Sequence, residues 1–595
     1  VIIHHKGVDR SGRQNFLTKK SGKKEHMKKL AITSGDPAGI GPEICTAALQ
    51  FYPLHPEVAY IVYGSLPGFT QGHHVSTITS AQDATAPGLY HIPIQDASIT
   101  PGQPSQSSGA IALSILQQVS AELVSGALDG VVTCPVSKHY IRLSDPHFIG
   151  HTEFLADAAN TETVVMAFWS RSLQVALLTT HAALCDVSAQ LTEERILKQF
   201  QIITDFAASQ KPVPRIALLA INPHAGEQGA FGTEEAMLMR AITSFAASSG
   251  IQIDGPFPAD TFFASHATEY DMIISPYHDQ GLIPFKSFAP QCGVNSTLGL
   301  PFVRTSVDHG TAFDIAGSGC AKESSLEVAI QCAEAQLQLS AHAAPAIYDH
   351  FANYYDHYME HVEYQRWIDL VLGQFTKRLG KKPQHILELA CGTANIAAQL
   401  VTQGYRVTAS DNAPAMLKIA ATKPNAPALQ LADMTAPLPH ETYDLIICLF
   451  DSINYLLQDT QISELLNATA GGLQKNGLFI FDISTLRNCE ENFDGYVNLE
   501  DTAGEYLIHT SEFEPETNLQ TSQLTFFRKS GYSWQRFDEV HQQRIYRVRE
   551  LVEFIEKSPV KLLGIYGPDQ QNLKRHIDME LDEIHGRLFF VCAKA

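Results

Sequence analysis

Short apolar runs, each passing into a turn and then a helical stretch, recur along this chain in two separate series. That alternation excludes most folds, because it builds mainly parallel sheets with helices packed on their faces. The first series comprises residues 30–33, 58–63, 130–133, 163–168, 173–179, 215–220 and 272–275, and closes in a predicted helix over 325–339. The second comprises 386–389, 406–409, 445–449 and 478–482. From Glu505 to Phe527 polar and apolar residues alternate instead, the period of an antiparallel sheet. Between the two series lies a small, proline-containing stretch, 340–346, which reads as a joint. One core stops growing at about 250–300 residues, so a chain of 595 needs more than one. The expected division is a disordered basic extension over 1–26, an α/β unit over 27–340, a linker over 341–345 and a second α/β unit over 346–595. The extension carries Lys6, Arg10, Arg13, Lys19, Lys20, Lys23 and Lys24 against Asp9 and Glu25, with no apolar periodicity to bury.

Charge and cysteine usage narrow the function classes. A formal net charge of −21 opposes a nucleic-acid-coating role, which needs a basic footprint. No apolar run approaches the ~20 residues that span a bilayer, so no membrane partner is expected. The ten cysteines include no Cys-x-x-Cys pair, which argues against a zinc ribbon or a disulfide framework and for a reducing cytoplasm.

Four histidines have distinctive neighbours: Gly150-His151-Thr152-Glu153, Thr180-His181, Asn222-Pro223-His224-Ala225-Gly226-Glu227, and Tyr277-His278-Asp279-Gln280-Gly281. Three of them directly follow strand-like runs. Ligands of open α/β sheets bind beyond the carboxyl ends of strands, so histidines far apart in sequence can converge there. Imidazole is the commonest metal ligand. A lone histidine at a strand end is more often a hydrogen-bonding loop residue, and spacing alone does not choose between the two.

Residues 33–43 (TSGDPAGIGPE), 150–153 (GHTE), 222–227 (NPHAGE), 277–282 (YHDQGL) and 293–312 (GVNSTLGLPFVRTSVDHGTA) resemble, in order and spacing, the motifs of the PdxA family of 4-hydroxythreonine-4-phosphate dehydrogenases. The likeness covers about 27–339. It implies a pair of α/β domains like those of isocitrate and isopropylmalate dehydrogenases. It implies that His181, His224 and His278 hold one divalent metal ion (Zn, Mg or Co), and that His151, Thr152, Lys286, Asn295 and Arg304 bind a phosphorylated small molecule. Lys286 and Arg304 suit that ligand chemically, since arginine grips phosphate through two parallel bonds. No Gly-x-Gly-x-x-Gly fingerprint is present in this half. The segment 308–317, with His309, Gly310 and Asp314, instead resembles the adenosine-binding loop of those dehydrogenases, so the implied cofactor is NAD or NADP. The implied reaction is oxidation of a hydroxyl by hydride transfer, then loss of CO2 from the 3-keto acid. Asp279, Asp260 and Lys138 are the candidates for proton handling, and each can equally orient a neighbour. The resemblance also implies a homodimer with metal ligands from both copies.

In the second half, residues 386–396 (ILELACGTANI) form a strand, a small-residue turn and a helix start, and Asp411 closes the next strand about 20 residues after Glu388. An acid there grips ribose hydroxyls. A pyrophosphate would need more glycine than Gly392 alone, whereas S-adenosylmethionine (SAM) has no phosphate. The segment resembles the first motif of class I SAM-dependent methyltransferases, with a Rossmann-like fold and, here, an antiparallel insertion. That resemblance implies that Glu388, Gly392 and Asp411 contact SAM and that Asp433 reaches the adenine. Ala394 stands where many members have glycine. Residues 348–356 and 450–456 also resemble a branch of small bacterial methyltransferases. Phe351, Tyr354, Tyr355 and Tyr358 read as a packed helix face before a substrate lid. Three readings stay open: a bifunctional enzyme; a first half acting on 4-phospho-threonate or 4-phospho-erythronate; and a second half that binds SAM without catalysis.

Overall fold

A computed structural model describes residues 27–595 apart from 70, 95–98, 171–172, 289–292, 340–347, 349, 503–504, 531–532, 568–572 and 574–580. The proposed extension 1–26 and linker 341–345 lie outside the described residues.

The apolar runs of the first half become the strands of one sheet. In chain order these are β1 (Lys28–Thr33), β2 (Val58–Gly64), β3 (Val75–Thr77), β4 (Gly88–Pro93), β5 (Gly130–Thr133), β6 (Val165–Trp169), β7 (Gln174–Leu177), β8 (Ile216–Leu219), β9 (Asp254–Phe257), β10 (Met272–Ser275), β11 (Val294–Leu298) and β12 (Val303–Val307). They pair in the order β3-β4-β2-β1-β5-β12-β11-β6-β7-β10-β8-β9. Both flanks are parallel, and β2, β5, β8 and β10 are buried along their whole length, as strands covered by helices on both faces must be. The centre differs. β11 runs antiparallel to both β12 and β6, and β6 antiparallel to β7. The expected mainly parallel sheet is therefore two parallel flanks joined by an antiparallel seam. β11 and β12 read Val-Asn-Ser-Thr-Leu and Val-Arg-Thr-Ser-Val, too polar for the apolar-run criterion to detect.

The second sheet contains β13 (His385–Leu389), β14 (Arg406–Asp411), β15 (Ala428–Leu431), β16 (Tyr443–Cys448) and β17 (Leu473–Ser484). Between β17 and the last two strands, β18 (Tyr496–Thr502), β19 (Glu505–Glu514), β20 (Leu519–Ser530) and β21 (Ser533–Arg544) form a separate antiparallel meander. β22 (Val560–Tyr566) and β23 (Arg587–Lys594) complete the second sheet in the order β15-β14-β13-β16-β17-β23-β22, with β23 antiparallel to β17. Apolar clusters cover both faces of this sheet, one around Phe479, Phe481 and Phe590 and the other around Phe375, Ile480 and Val591. The meander's inward face is unusually polar: Glu539, His541 and Gln543, alternate residues of β21, are all buried. No helix among the described residues is long and apolar enough to cross a membrane.

Candidate active sites

β7, β10 and β8 are adjacent and parallel, so their carboxyl ends share one edge. His181, His278 and His224 lie just beyond those three ends. The rings of His181 and His278 stand 5.9 Å apart, centroid to centroid. Asp279 Oδ1 is 2.7 Å from His278 Nδ1. A carboxylate only accepts, so Nδ1 carries the hydrogen and Nε2 keeps its lone pair, the tautomer that a metal ligand needs. His224 opens a run of left-handed backbone, with φ of 53° there and 52° at Ala225. That conformation costs non-glycine residues about 1–2 kcal/mol each. It is held by Glu235, whose carboxylate accepts from the backbone N–H groups of Ile221 (3.1 Å) and Asn222 (2.7 Å). His181 and His224 are exposed. Among the described residues no three His, Cys, Asp or Glu side chains gather closely enough to hold a metal ion. The three predicted ligands thus reach one edge without closing into a centre within one chain. Asp260 stands exposed in the first turn of the helix Ala259–Ser265.

A second cluster forms where β5, β12 and the helix His151–Ala158 meet. Arg304, on β12, is 3% exposed. It donates to Thr297 Oγ1 and Thr133 Oγ1, both at 3.0 Å. Its Nε, together with His151 Nε2 and Asn295 Oδ1, is buried without a hydrogen-bond partner. Burial pulls the guanidinium down to about 10, opposed by Glu153. Burial also takes the His151 imidazole down to about 3, with further push from Arg304 and Lys138, so the ring is neutral at physiological pH. Lys138 approaches the same place: a Cβ built on Gly150 would lie 3.4 Å from its Nζ. Thr152 follows His151, half-buried, in the first helical turn. A buried cation with a free N–H, a neutral imidazole without a partner and a helix start together make a cradle for an anion, while Asn295 Oδ1 can accept from a hydroxyl or amine of the same ligand. Lys286, with its side chain largely exposed, pairs with Asp308 at 3.2 Å.

The segment after β12 folds back onto the glycine-rich turn after β1. Ile40 N–H donates to Thr311 O (3.0 Å) and Gly317 N–H to Glu43 Oε2 (2.9 Å). A Cβ at Gly39 would lie 2.9 Å from Thr311 O, so this approach requires glycine. His309 Nε2 is buried and unpartnered, Gly310 faces open space, and Asp314 is exposed.

In the second half, a cavity of about 160 Å³ opens at the carboxyl ends of β13 and β14. Glu388, Gly392, Asp411 and Asp433 all line it. Asp411 accepts from the N–H groups of Gly392 (2.7 Å) and Ala413 (2.8 Å), and burial outweighs these bonds to raise its pKa. Glu388 accepts from Ala397 N–H at 2.9 Å. Burial, and then the charge of Asp411, push its carboxyl up to about 8. Ala394, in the glycine position, adopts φ 58°. Left-handed backbone is retained there without glycine. Asp433 Oδ1 accepts from Thr435 N–H (2.8 Å) and Oγ1 (2.6 Å).

The aromatic run is divided in its use. Phe351, Tyr354 and Tyr358 pack against Leu507, Leu524 and Phe526 of the meander, as a packed face should. Tyr355 lines the cavity, as does Tyr348. Two further groups were not identified from the sequence. Arg587 bridges Asp451 (2.7 Å) and the fully buried Asp482 and lies over the Trp367 ring. That ring stacks on Phe450 of the cavity wall at 4.2 Å. The other group is a polar chain from Tyr348 through Tyr455 and His541 to Glu539. Its only sequence signal is the placing of Glu539 and His541 two apart on an inward strand face.

Comparisons with known proteins agree with this division. The family model of the pyridoxal phosphate biosynthetic protein PdxA matches residues 58–333, and a methyltransferase-domain model matches 386–477. The 4-hydroxythreonine-4-phosphate dehydrogenase of Desulforapulum autotrophicum is 37% identical over 326 residues, 52% of this chain and 96% of the relative. That of Aquifex aeolicus is 39% identical over 306 residues, 50% of this chain and 95% of the relative. A Salmonella typhi protein provisionally assigned as a D-threonate 4-phosphate dehydrogenase is 36% identical over 321 residues, 51% of this chain and 98% of that protein.

Proposed function

This chain belongs to the PdxA family through its first half and carries a methyltransferase domain in its second, and we propose that it is a bifunctional enzyme. The first half oxidises 4-phosphooxy-L-threonine with NAD. The resulting 3-keto acid loses CO2 to give 3-amino-2-oxopropyl phosphate, on the route to pyridoxal 5'-phosphate. The observation that carries this reading is the cradle of Arg304, His151 and Asn295, whose buried polar atoms lack partners and whose charge suits a phosphate or carboxylate.

Within that cradle, Arg304 supplies fixed charge and neutral His151 a hydrogen bond. Lys138, beside His151, is the group best placed to hold or move a proton at the substrate. Asp279 fixes the His278 tautomer and so acts through its neighbour. The donors at the sheet edge fit a divalent ion, with His181 and His278 side by side, and the reading includes a second copy completing the set around His224. When bound, such an ion would act as a Lewis acid on the substrate hydroxyl and the adjoining carbonyl. The loop with His309 fits the adenosine end of NAD, its unpartnered Nε2 being free for a ligand.

The second half transfers a methyl group from SAM. Its acidic cavity fits a ribose and a sulfonium, with Asp411 held in place by Gly392 and Ala413. Methyl transfer depends on in-line positioning, and the enclosing aromatic wall supplies it.

NADH formation by the purified chain with 4-phosphooxy-L-threonine, with and without added divalent metal, tests the first activity. Turnover that His224→Ala abolishes is expected. The Salmonella relative favours a second reading. Turnover of D-threonate 4-phosphate but not of 4-phosphooxy-L-threonine would establish that reading instead.

A further inference from the structure

A chain of polar side chains leads from the cavity of the second half into the meander. Tyr348 and Tyr455 both line the cavity. Their hydroxyls are 2.7 Å apart, Tyr455 OH is 3.1 Å from His541 Nδ1, and His541 Nε2 is 3.2 Å from Glu539 Oε2. His541 and Glu539 are almost fully buried, at 5% and 6% side-chain exposure. Glu539 also accepts from the backbone N–H groups of Tyr348 and Phe351, which fixes the end of the chain, and burying such a chain costs free energy unless each member is satisfied.

The order of donors is determined by chemistry. Burial by itself would raise the Glu539 carboxyl. The bonds from His541 and from the N–H groups of His350 and Phe351 outweigh it and hold the pKa below its ordinary value. Glu539 is therefore an ionised acceptor, so His541 carries its hydrogen on Nε2 and presents a bare Nδ1. Tyr455 donates to that Nδ1, and Tyr348 donates to Tyr455, leaving the Tyr348 oxygen as the acceptor at the cavity. Burial raises both phenols well above their usual range, so neither is a standing base. The groups facing His541 are Tyr348, Tyr455, Phe351 and Glu539, and burial, helped by His541, takes the nearby His509 imidazole down to about 4, so that it stays neutral.

The cavity's charge adds a second constraint. Among the described residues its wall holds Glu388, Asp411 and Asp433 and no lysine, arginine or histidine. Apart from the sulfonium of SAM itself, a phosphorylated acceptor would meet carboxyl groups and no protein cation on that wall.

We propose that Tyr348, Tyr455, His541 and Glu539 form a proton relay for methyl transfer, and that the acceptor is an N–H or O–H nucleophile bearing no phosphate. This rests on the methyltransferase reading and deepens it. The acceptor atom forms its bond to the methyl carbon as the carbon–sulfur bond breaks and the sulfonium becomes a thioether. The acceptor's proton passes to the Tyr348 oxygen, the Tyr348 proton to Tyr455, and the Tyr455 proton to His541 Nδ1, leaving an imidazolium beside Glu539. Tyr348 touches the acceptor. Tyr455, His541 and Glu539 act through it and position the proton. The two halves of the chain then serve different substrates, since the first takes a phosphorylated one.

The test uses the full chain. Calorimetry with S-adenosylhomocysteine comes first, and failure of the wild type to bind sinks the methyltransferase reading itself. Given binding, Tyr455→Phe and Glu539→Gln should bind it within about threefold of wild type, because neither variant alters the ribose acids. Imidazole ¹⁵N shifts, assigned by difference from His541→Asn, should show His541 as the Nε2–H tautomer. That state should be lost in Glu539→Gln and restored in Glu539→Asp. Label from methyl-labelled SAM should enter the small-molecule fraction of a bacterial extract that anion exchange does not retain, with Tyr455→Phe slowing it about 10²-fold. An Nδ1–H tautomer in the wild type, or a Tyr455→Phe rate equal to wild type, overturns the relay. Label confined to the retained, phosphorylated fraction, or absent from all fractions, overturns the acceptor class.

Discussion

Replacing Arg304 by methionine removes a buried charge whose hydrogen bonds, among the described residues, go to two threonine hydroxyls. Burial holds this guanidinium at about 10, against about 12.5 for a free one, and about 1.4 kcal/mol per pKa unit makes the cost of keeping it charged about 3 kcal/mol. The two hydroxyl bonds return about 1 kcal/mol each. The unliganded protein should therefore gain about 1 kcal/mol from Arg304→Met, a rise of about 1–2 °C in the melting temperature of a unit this size. The charge is present at every pH below about 10, so the gain should hold from neutral pH downwards. Inorganic phosphate should reverse the ranking. It should raise the melting temperature of the wild type and leave the variant unmoved, because the anion supplies the missing charge to Arg304 alone. Differential scanning calorimetry with and without phosphate measures both effects. A variant destabilised by more than about 2 kcal/mol, with phosphate protection intact, would show that Arg304 is a packing and hydrogen-bonding residue, and the anion cradle would lose its centre.

Other expectations concern the remaining sites. Glu388, pushed up to about 8, keeps its proton in the fold at pH values where the unfolded chain has released it. The native state therefore binds more protons than the unfolded one between about pH 4.3 and about pH 8, and stability should fall across that window by up to about 5 kcal/mol. Glu388→Gln should flatten the dependence in denaturant titrations of the second half at several pH values. Asp279→Asn should weaken Zn binding about 10–100-fold by freeing the His278 tautomer, measured by competition with a chelating dye. An unchanged affinity would mean that Asp279 has another task. Arg587→Met should cost about 3–5 kcal/mol, because it strands Asp482 and Asp451 without their cation. It should also weaken S-adenosylhomocysteine binding, since Phe450 and Asp451, at φ 58° and 51°, lose their support.

The sequence alone determined where β1, β2, β5, β6, β7, β8, β10, β13, β14, β16 and β17 lie, because strands buried on both faces read as continuous apolar runs, whereas the more exposed parallel strands β3, β4, β9 and β15 left no such run. It determined equally that His181, His224 and His278 follow such strands, and the resemblance of its motifs grouped Glu388 and Asp411, at two strand ends, with Gly392 and Asp433 in the loops beyond. All four of those line one cavity. What it left open was every contact set by pairing between distant strands. The antiparallel seam of β11 and β12 escaped notice because serine and threonine satisfy their hydroxyls inside a sheet and leave no apolar run. Arg304 is singled out through its motif, but its burial follows only from the pairing of β12 with β5 and β11. Lys286 could be matched by its motif, yet only the fold tied it to Asp308 rather than to His151. Tyr348 and His541 stand nearly two hundred positions apart, and no periodicity joins them. Only the meander's packing brings a strand with polar residues on its inner face against a cavity in the neighbouring sheet. Local pattern reports which face of an element is buried, while tertiary structure decides what that face meets, and chemistry at a site depends on the second.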